Sequence, residues 1–241
     1  MLIFKRKPIQ LDCFTTMSTA YEFTPIELAN NFLPDWWKKL PKTTQNWAVM
    51  DAPTMKSCAG LVDLYRKGVM LPIWSDLDIL IKDNLEYDWR FADGKSIIEP
   101  HPIFQTGSFF TDIGYAHMKI FAPWLFSCKE DIDWHFAQPV WNHKVAKDYC
   151  VPSGLLNFKY QTHVNINVFL RGIPRSHIHI PHGQPMAHII PISERPIKVH
   201  NHLITEEEFK RRSFQHTTFK GSYYKQKKAR QDKESKCPFG F

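Results

Sequence analysis

Apolar and polar positions alternate with a period of two through much of residues 69–192, which predicts short strands rather than helices. Leu77, Ile79 and Ile81 alternate with Asp76, Asp78 and Lys82. Lys82-Asp83-Asn84 then turns the chain, residues 86–91 return, and Asp93-Gly94 opens another hairpin into residues 95–99. Further strands are expected at residues 115–121, 131–136, 155–160, 164–170, 176–180 and 186–192. Turn signals separate them, notably Pro152-Ser153-Gly154 and Pro181-His182-Gly183. The last two strands read as the clearest hairpin of the chain. Short strands at this spacing, without alternating helices, predict an antiparallel sandwich or barrel.

Helix signals flank this region. Thr24-Pro25-Ile26-Glu27 is a capping box with proline at the first helical position, so a helix is expected from there to Leu33, ahead of Pro34. A second is expected over residues 57–67, where Cys58, Leu61, Val62 and Tyr65 share a face and Gly68 caps the end. Thr205-Glu206-Glu207-Glu208 opens a third, running to about Phe214. The first strand is expected at residues 2–4 or 9–14, with Pro8 confining it to an edge. The fold class is therefore mainly β (α+β). Residues 1–52 read as a strand and helical segment packed on the core, 53–204 as the β domain, and 205–241 as a C-terminal helix and basic tail.

Composition adds three constraints. An apolar fraction of 43% with 14% aromatics in 241 residues argues for a packed core. The five cysteines are scattered, odd in number and without a C-x-x-C pair, as expected of thiols in a reducing compartment. The opening residues MLIFKRKP hold too short an apolar run for a signal peptide, and no later run reaches membrane-spanning length. The expected location is the cytoplasm of a host cell or a virion, with no membrane partner. Much of the formal charge of +7 sits late in the chain: residues 220–236 carry seven Lys/Arg against Asp232 and Glu234.

Candidate chemistry concentrates at residues 170–192, where four of the twelve histidines lie. In a strand, His177 and His179 share one face while Ile178 and Ile180 take the other. His188, past the turn, is the candidate third ligand of a divalent metal, and His163, with Asn165 and Asn167 on its face, is another. Glu194 and Glu99 are the carboxylates named for completing such a set. Asp76 and Asp78 also share a strand face, most simply a solvated one. Cys150 and His143 are close in sequence, which does not by itself predict a thiolate pair. Trp36 and Trp37 lie in a Pro-flanked, Lys-rich connection and are candidates for an interface or for plugging one end of the core. In the tail, Tyr223, Tyr224, Lys225, Lys227, Lys228 and Arg230 are candidates for docking a partner or a nucleic-acid backbone. No G-x-S-x-G, Walker loop or G-x-G-x-x-G occurs.

Two resemblances follow from these residues. Pro181-x-Gly183 followed by His188 between short strands resembles the second motif of the cupins, the double-stranded β-helix superfamily, although four residues separate Gly183 from His188 where that motif has two. The resemblance implies a jelly-roll core with a metal-ligand histidine. The H-x-H that begins the family's first motif is found here only as His177-Ile178-His179, adjacent to the turn and with no glutamate after it. The wider pattern is a P-x-W-W-K segment, T-M-K-S-C-x-G-x-x-D-L, L-P-x-W-S-D-L and a late I-P-x-G-x-P-x-x-H-I-I-P before a basic tail. It is similar to proteins of tailed bacteriophages and some bacteria that have no assigned activity.

The expected function is a non-catalytic structural or interaction protein, phage-encoded, acting in an assembly as a homo-oligomer or with a protein partner and without a cofactor. The alternatives are a metal-dependent cupin-type oxygenase or isomerase using His177, His179 and His188 with Fe, Mn, Ni or Zn, and a nucleic-acid-associated protein using the tail.

Overall fold

The computed structural model describes residues 6–44, 52–83, 86–100, 115–142, 148–171 and 173–214, together with positions 224, 225, 228, 229 and 232. Strand β1 (Ile9–Thr15) leads into helix α1 (Ser18–Phe23), strand β2 (Glu27–Leu28), a 3-10 turn at Ala29–Phe32 and helix α2 (Asp35–Lys39). The short strands β3 (Thr43–Thr44) and β4 (Ala52–Pro53) pair with each other ahead of helix α3 (Ala59–Arg66). Strands β5 (Val69–Pro72), β6 (Leu77–Ile81), β7 (Tyr87–Phe91) and β8 (Ile98–Pro100) follow. The long β9 (Tyr115–Ser127) then precedes β10 (Asp133–Ala137), β11 (Tyr149–Cys150), β12 (Gly154–Asn157) and β13 (His163–Arg171). Last come β14 (His177–Ile180), β15 (Pro185–Pro191), β16 (Ile197–Leu203) and helix α4 (Glu206–Phe214).

The protein is mainly β, as expected, with three larger sheets. One runs β11-β13-β9-β1-β16 with β8 also on β9, a second runs β12-β10-β15-β5-β2, and a third is β14-β6-β7. Their inward residues form a common core. Ile9, Leu11, Val164, Ile166 and Val168 come from the first sheet, Leu71, Trp134 and Ile189 from the second, and Leu77, Ile79, Ile178 and Ile180 from the third. The period-two pattern explains which side chains go in: in β13, Val164, Ile166, Val168 and Leu170 are buried while the residues between them are not. Each such aliphatic side chain contributes about 1.5–3 kcal/mol on burial. A smaller cluster of Ala29, Leu61, Tyr65 and Met70 covers the outer face of the second sheet, where α3 packs. Strand β15 is consequently buried on both faces over Pro185–Ile189.

Several expectations are corrected. Residues 24–33 do not form one helix. The helix lies earlier, at α1, and Thr24 ends it, its N–H donating to Ala20 O at 3.1 Å. Glu27 and Leu28 instead pair with Met70 and Val69, and Ala29 N–H donates to Gly68 O, so sheet pairing overrides the capping signal. Strand β1 is not an edge: it lies between β9 and β16, parallel to the latter. Pro8 stands just outside the ladder and costs it no hydrogen bond. Strand β8 pairs with β9 rather than returning on β7.

The strands flanking Pro181-His182-Gly183 are not a hairpin either. Strand β15 pairs with β5 (Ile189 opposite Val69, Ala187 opposite Leu71) and β14 pairs with β6 (Ile180 opposite Leu77, His177 opposite Leu80), both antiparallel. Between them, Gly183 N–H donates to Ile73 O and Ile73 N–H to Gln184 O, each at 2.9 Å. Thus β14 and β15 lie end to end along a common partner. Residues 73–76 and 181–184 are matched segments at which the ladder kinks from one sheet into the next. Gly183, at φ +78°, supplies the left-handed conformation at that kink.

Candidate functional site

Among the described residues, the register of β14 on β6 builds the cluster in which predicted histidines meet a carboxylate. Inward-facing Leu77, Ile79, Ile178 and Ile180 anchor the two strands in the core. The alternation then turns His177, His179 and Asp78 outward together. His179 is directly opposite Asp78, and His177 is its diagonal neighbour. His179 Nδ1 and His177 Nε2 lie 2.9 and 3.0 Å from the same atom, Asp78 Oδ1. An ionised carboxylate only accepts, so both of these ring nitrogens carry the proton. The hydrogen bond from His179, followed by that from His177, holds the Asp78 carboxyl below its ordinary value of 3.8 against slight burial. Arg90, opposite Asp78 on β7, brings Nη2 to 3.9 Å from Oδ2. Asp78, Leu80, Asp88, Trp89, Arg90 and His177 line an open hollow of about 350 Å³ beside the cluster.

His188 does not join this cluster. Facing away from the shared core, it packs on Tyr65 of α3 with ring centroids 5.9 Å apart, and its Nε2 donates to Lys67 O at 2.7 Å. Burial holds its pKa below the ordinary 6.5, opposed by the Lys67 carbonyl and reinforced by His135. The imidazole is thus a neutral donor that ties the end of α3 to β15. Glu194 pairs with Lys67 at 2.6 Å on the surface. Glu99 pairs with Lys119, also at 2.6 Å. His163 sits on β13, half-buried, its pKa also held down by burial. The cupin-type ligand set of His177, His179, His188 and Glu194 is therefore not assembled, and no group of three or more His, Cys, Asp or Glu among the described residues is arranged as a ready metal cage.

The remaining candidates are dispersed. Asp76 Oδ1 accepts from His182 N–H at 2.7 Å and so braces the kink. The Cys150 thiol is pushed above its ordinary 9.0 by partial burial, the opposite of an activated thiolate; His143 lies outside the described residues. Trp37 packs on the Tyr65 cluster, donates from Nε1 to Met55 O at 3.0 Å and carries Lys56 Nζ 4.1 Å above its ring. Trp36 instead stays 42% exposed and packs on Trp141, itself 40% exposed, with ring centroids 6.0 Å apart. Trp36 Nε1 donates to Trp141 O at 3.0 Å, and Val140 extends the apolar surface. In the tail, Tyr224, Lys225 and Lys228 are exposed, while Tyr223, Lys227 and Arg230 lie outside the described residues.

Trp141 is the participant that sequence reading missed, and Asp78, named there beside Asp76, was placed on a strand face without its partners. Asp78 was legible as an outward strand residue but not as the partner of two histidines a hundred positions away. Trp141 had no periodic signal. No protein-family model matches the chain, and comparison with curated proteins finds no match. No helix among the described residues is long and apolar enough to cross a membrane.

Proposed function

We propose that the chain is a non-catalytic interaction protein of a phage-type assembly, and that the Trp36–Trp141 ridge is a contact surface through which copies associate. The observation that carries this reading is the hydrogen bond from Trp36 Nε1 to the Trp141 carbonyl. It ties the half-exposed Trp36 side chain to the backbone of Trp141, 105 positions away, whose own exposed ring packs on it with centroids 6.0 Å apart. Preorganised tryptophans of this kind are what binding hot spots are made of, because little side-chain entropy is lost on contact. The kinked ladder that passes from one sheet into another supports the cupin-like jelly roll as the scaffold for that surface.

Sedimentation velocity over a wide concentration range tests the proposal. The wild-type chain is expected to associate as concentration rises, and a Trp36→Ala/Trp141→Ala variant with an unchanged melting transition to remain monomeric. A wild type that stays monomeric throughout, or a variant that associates equally well, overturns it.

A further inference from the structure

We propose that α4 is a releasable cover on the outer face of the first sheet, and that it lifts when His163 beneath it takes up a proton. The device is independent of the Trp36–Trp141 contact. Its geometry comes from the register of four strands. His163 on β13 stands opposite Leu125 on β9, Leu125 opposite Phe14 on β1, and Phe14 opposite His202 on β16. Residues directly opposite share a sheet face, so these side chains form one row, with a histidine at each end and two apolar residues between. The row faces outward. The adjacent positions Cys13, Phe126 and Val164 enter the common core, whereas Phe14 and Leu125 belong to neither core cluster. Both are nevertheless buried, to 8% and 1% exposure.

What lies over the row is α4. Arg212 sits 3.9 Å above the Phe14 ring, which in turn stacks on His202 with centroids 4.7 Å apart. The carbonyl of the next residue, Ser213, accepts a hydrogen bond from His163, and the helix packs on β9 between them. Yet α4 is poorly made for permanent docking. Six of its nine residues are charged, and none whose burial is described is fully buried. A helix this short is marginal by itself in water, so it keeps its shape only while docked. A cation–π contact and a histidine hydrogen bond in place of apolar packing put it at the low-stability end of the fold.

His163 is the proton-sensitive joint. Its Nε2 is sealed from solvent without a hydrogen-bond partner among the described residues, so Nδ1 makes the bond to Ser213 and Nε2 is the nitrogen that takes the next proton. A proton there creates a buried charge with nothing to accept its N–H. Lifting α4 relieves that cost by admitting water. The neighbouring carboxylates are already engaged: Glu208 pairs with Arg211 and with Arg212, the latter at 2.7 Å, and Asp12 accepts from His202 at 2.8 Å. His200, the other ionisable group beside the row, bonds Gln10, and β9 presents Leu125 and Ser127, which do not titrate. Burial accordingly holds the His163 pKa below its ordinary 6.5, opposed by the bond to Ser213. Docking is therefore intact above about pH 6.5 and weakens as pH falls below it toward the docked value.

The test is amide hydrogen exchange of the full chain at pH 7.5 and pH 5.5, corrected for the intrinsic pH dependence of the chemical rate. Protection of residues 206–214 is expected to fall by about tenfold at the lower pH, while β1 and β9 keep theirs. That factor is the ratio between a free histidine of pKa 6.5 and one that stays neutral in place. His163→Asn retains an N–H donor for Ser213 but does not titrate, so its α4 should be equally protected at both pH values. His202→Gln should keep the wild-type response. The proposal is overturned by a wild-type α4 that is unprotected at pH 7.5 or insensitive to pH, and by a loss that β1 and β9 share equally. A response that survives in His163→Asn, or vanishes in His202→Gln, overturns it as well.

Discussion

The α-carbon of Gly68 lies against the ring of His188, so closely that a methyl group at Gly68 would stand 3.0 Å from His188 Nε2. The same nitrogen donates to Lys67 O, and Gly68 O accepts from Ala29 N–H. Three pieces of chain, the end of α3, the start of β5 and the residues after β2, thus meet at β15. This explains why α3 stops where it does, and why the residue that sequence reading offers as a metal ligand is instead a structural joint.

Gly68→Ala should therefore be costly. The residue sits at φ +82°, and its added carbon would also collide with the Ile189 carbonyl. Left-handed strain and backbone collision together predict a loss of roughly 2–4 kcal/mol. Urea unfolding should show an earlier midpoint with an unchanged slope, and a loss below about 0.5 kcal/mol would contradict that close fit.

His188 makes stability depend on pH in a defined direction. Its folded pKa is lowered below 6.5, chiefly by burial, so the unfolded chain binds the proton more readily. The contribution is intact above about pH 6.5 and is lost as pH falls below it toward the folded pKa. His163 acts in the same direction. His188→Gln retains an N–H donor but does not titrate, so its melting temperature should fall less steeply between pH 7 and 5 than that of wild type. Equal slopes would rule out this role for His188.

Asn157 is a second joint. Buried to 1% exposure, it donates from Nδ2 to Asp131 Oδ1 at 2.7 Å and Asp133 Oδ1 at 3.0 Å, and its Oδ1 accepts from Lys159 N–H. Asn157→Ala removes the donor shared by two carboxylates and should cost about 2–3 kcal/mol. Chemical denaturation measures this directly, and a neutral result would show that water replaces the amide.

The Asp78 cluster should matter little for stability at neutral pH. Its partners are exposed and solvent screens them, so Asp78→Asn is expected to change stability by less than about 1 kcal/mol. Because the Asp78 pKa is lowered in the fold, its small contribution is present above 3.8 and disappears as pH falls through the folded value. Melting curves at pH 7 and pH 3 should differ between wild type and variant only at the higher pH. A large loss at pH 7 would mean that the cluster holds the sheet together.

Local pattern determined much of this protein. Alternation at 77–81 and 164–170 placed those strands and their buried faces, and the spacing of Leu61 and Tyr65 placed α3 with Gly68 as its end. These features are legible because a side chain's face follows from its own position in a strand or helix. What local pattern does not contain is the choice of partner. The capping box at Thr24 lost to pairing of Glu27 and Leu28 with β5. The turn at Pro181 became a kink because residues 69–81 offer a long common partner to both flanking strands. That choice also decided the chemistry. By pairing β14 with β6 it joined Asp78 to His177 and His179, and by placing β15 under α3 it buried His188 against Tyr65. The sequence alone determined that His177 and His179 share one strand face and Asp76 and Asp78 another. Only the tertiary structure decided which of them meet, because cross-strand register is set by burying the whole core at once.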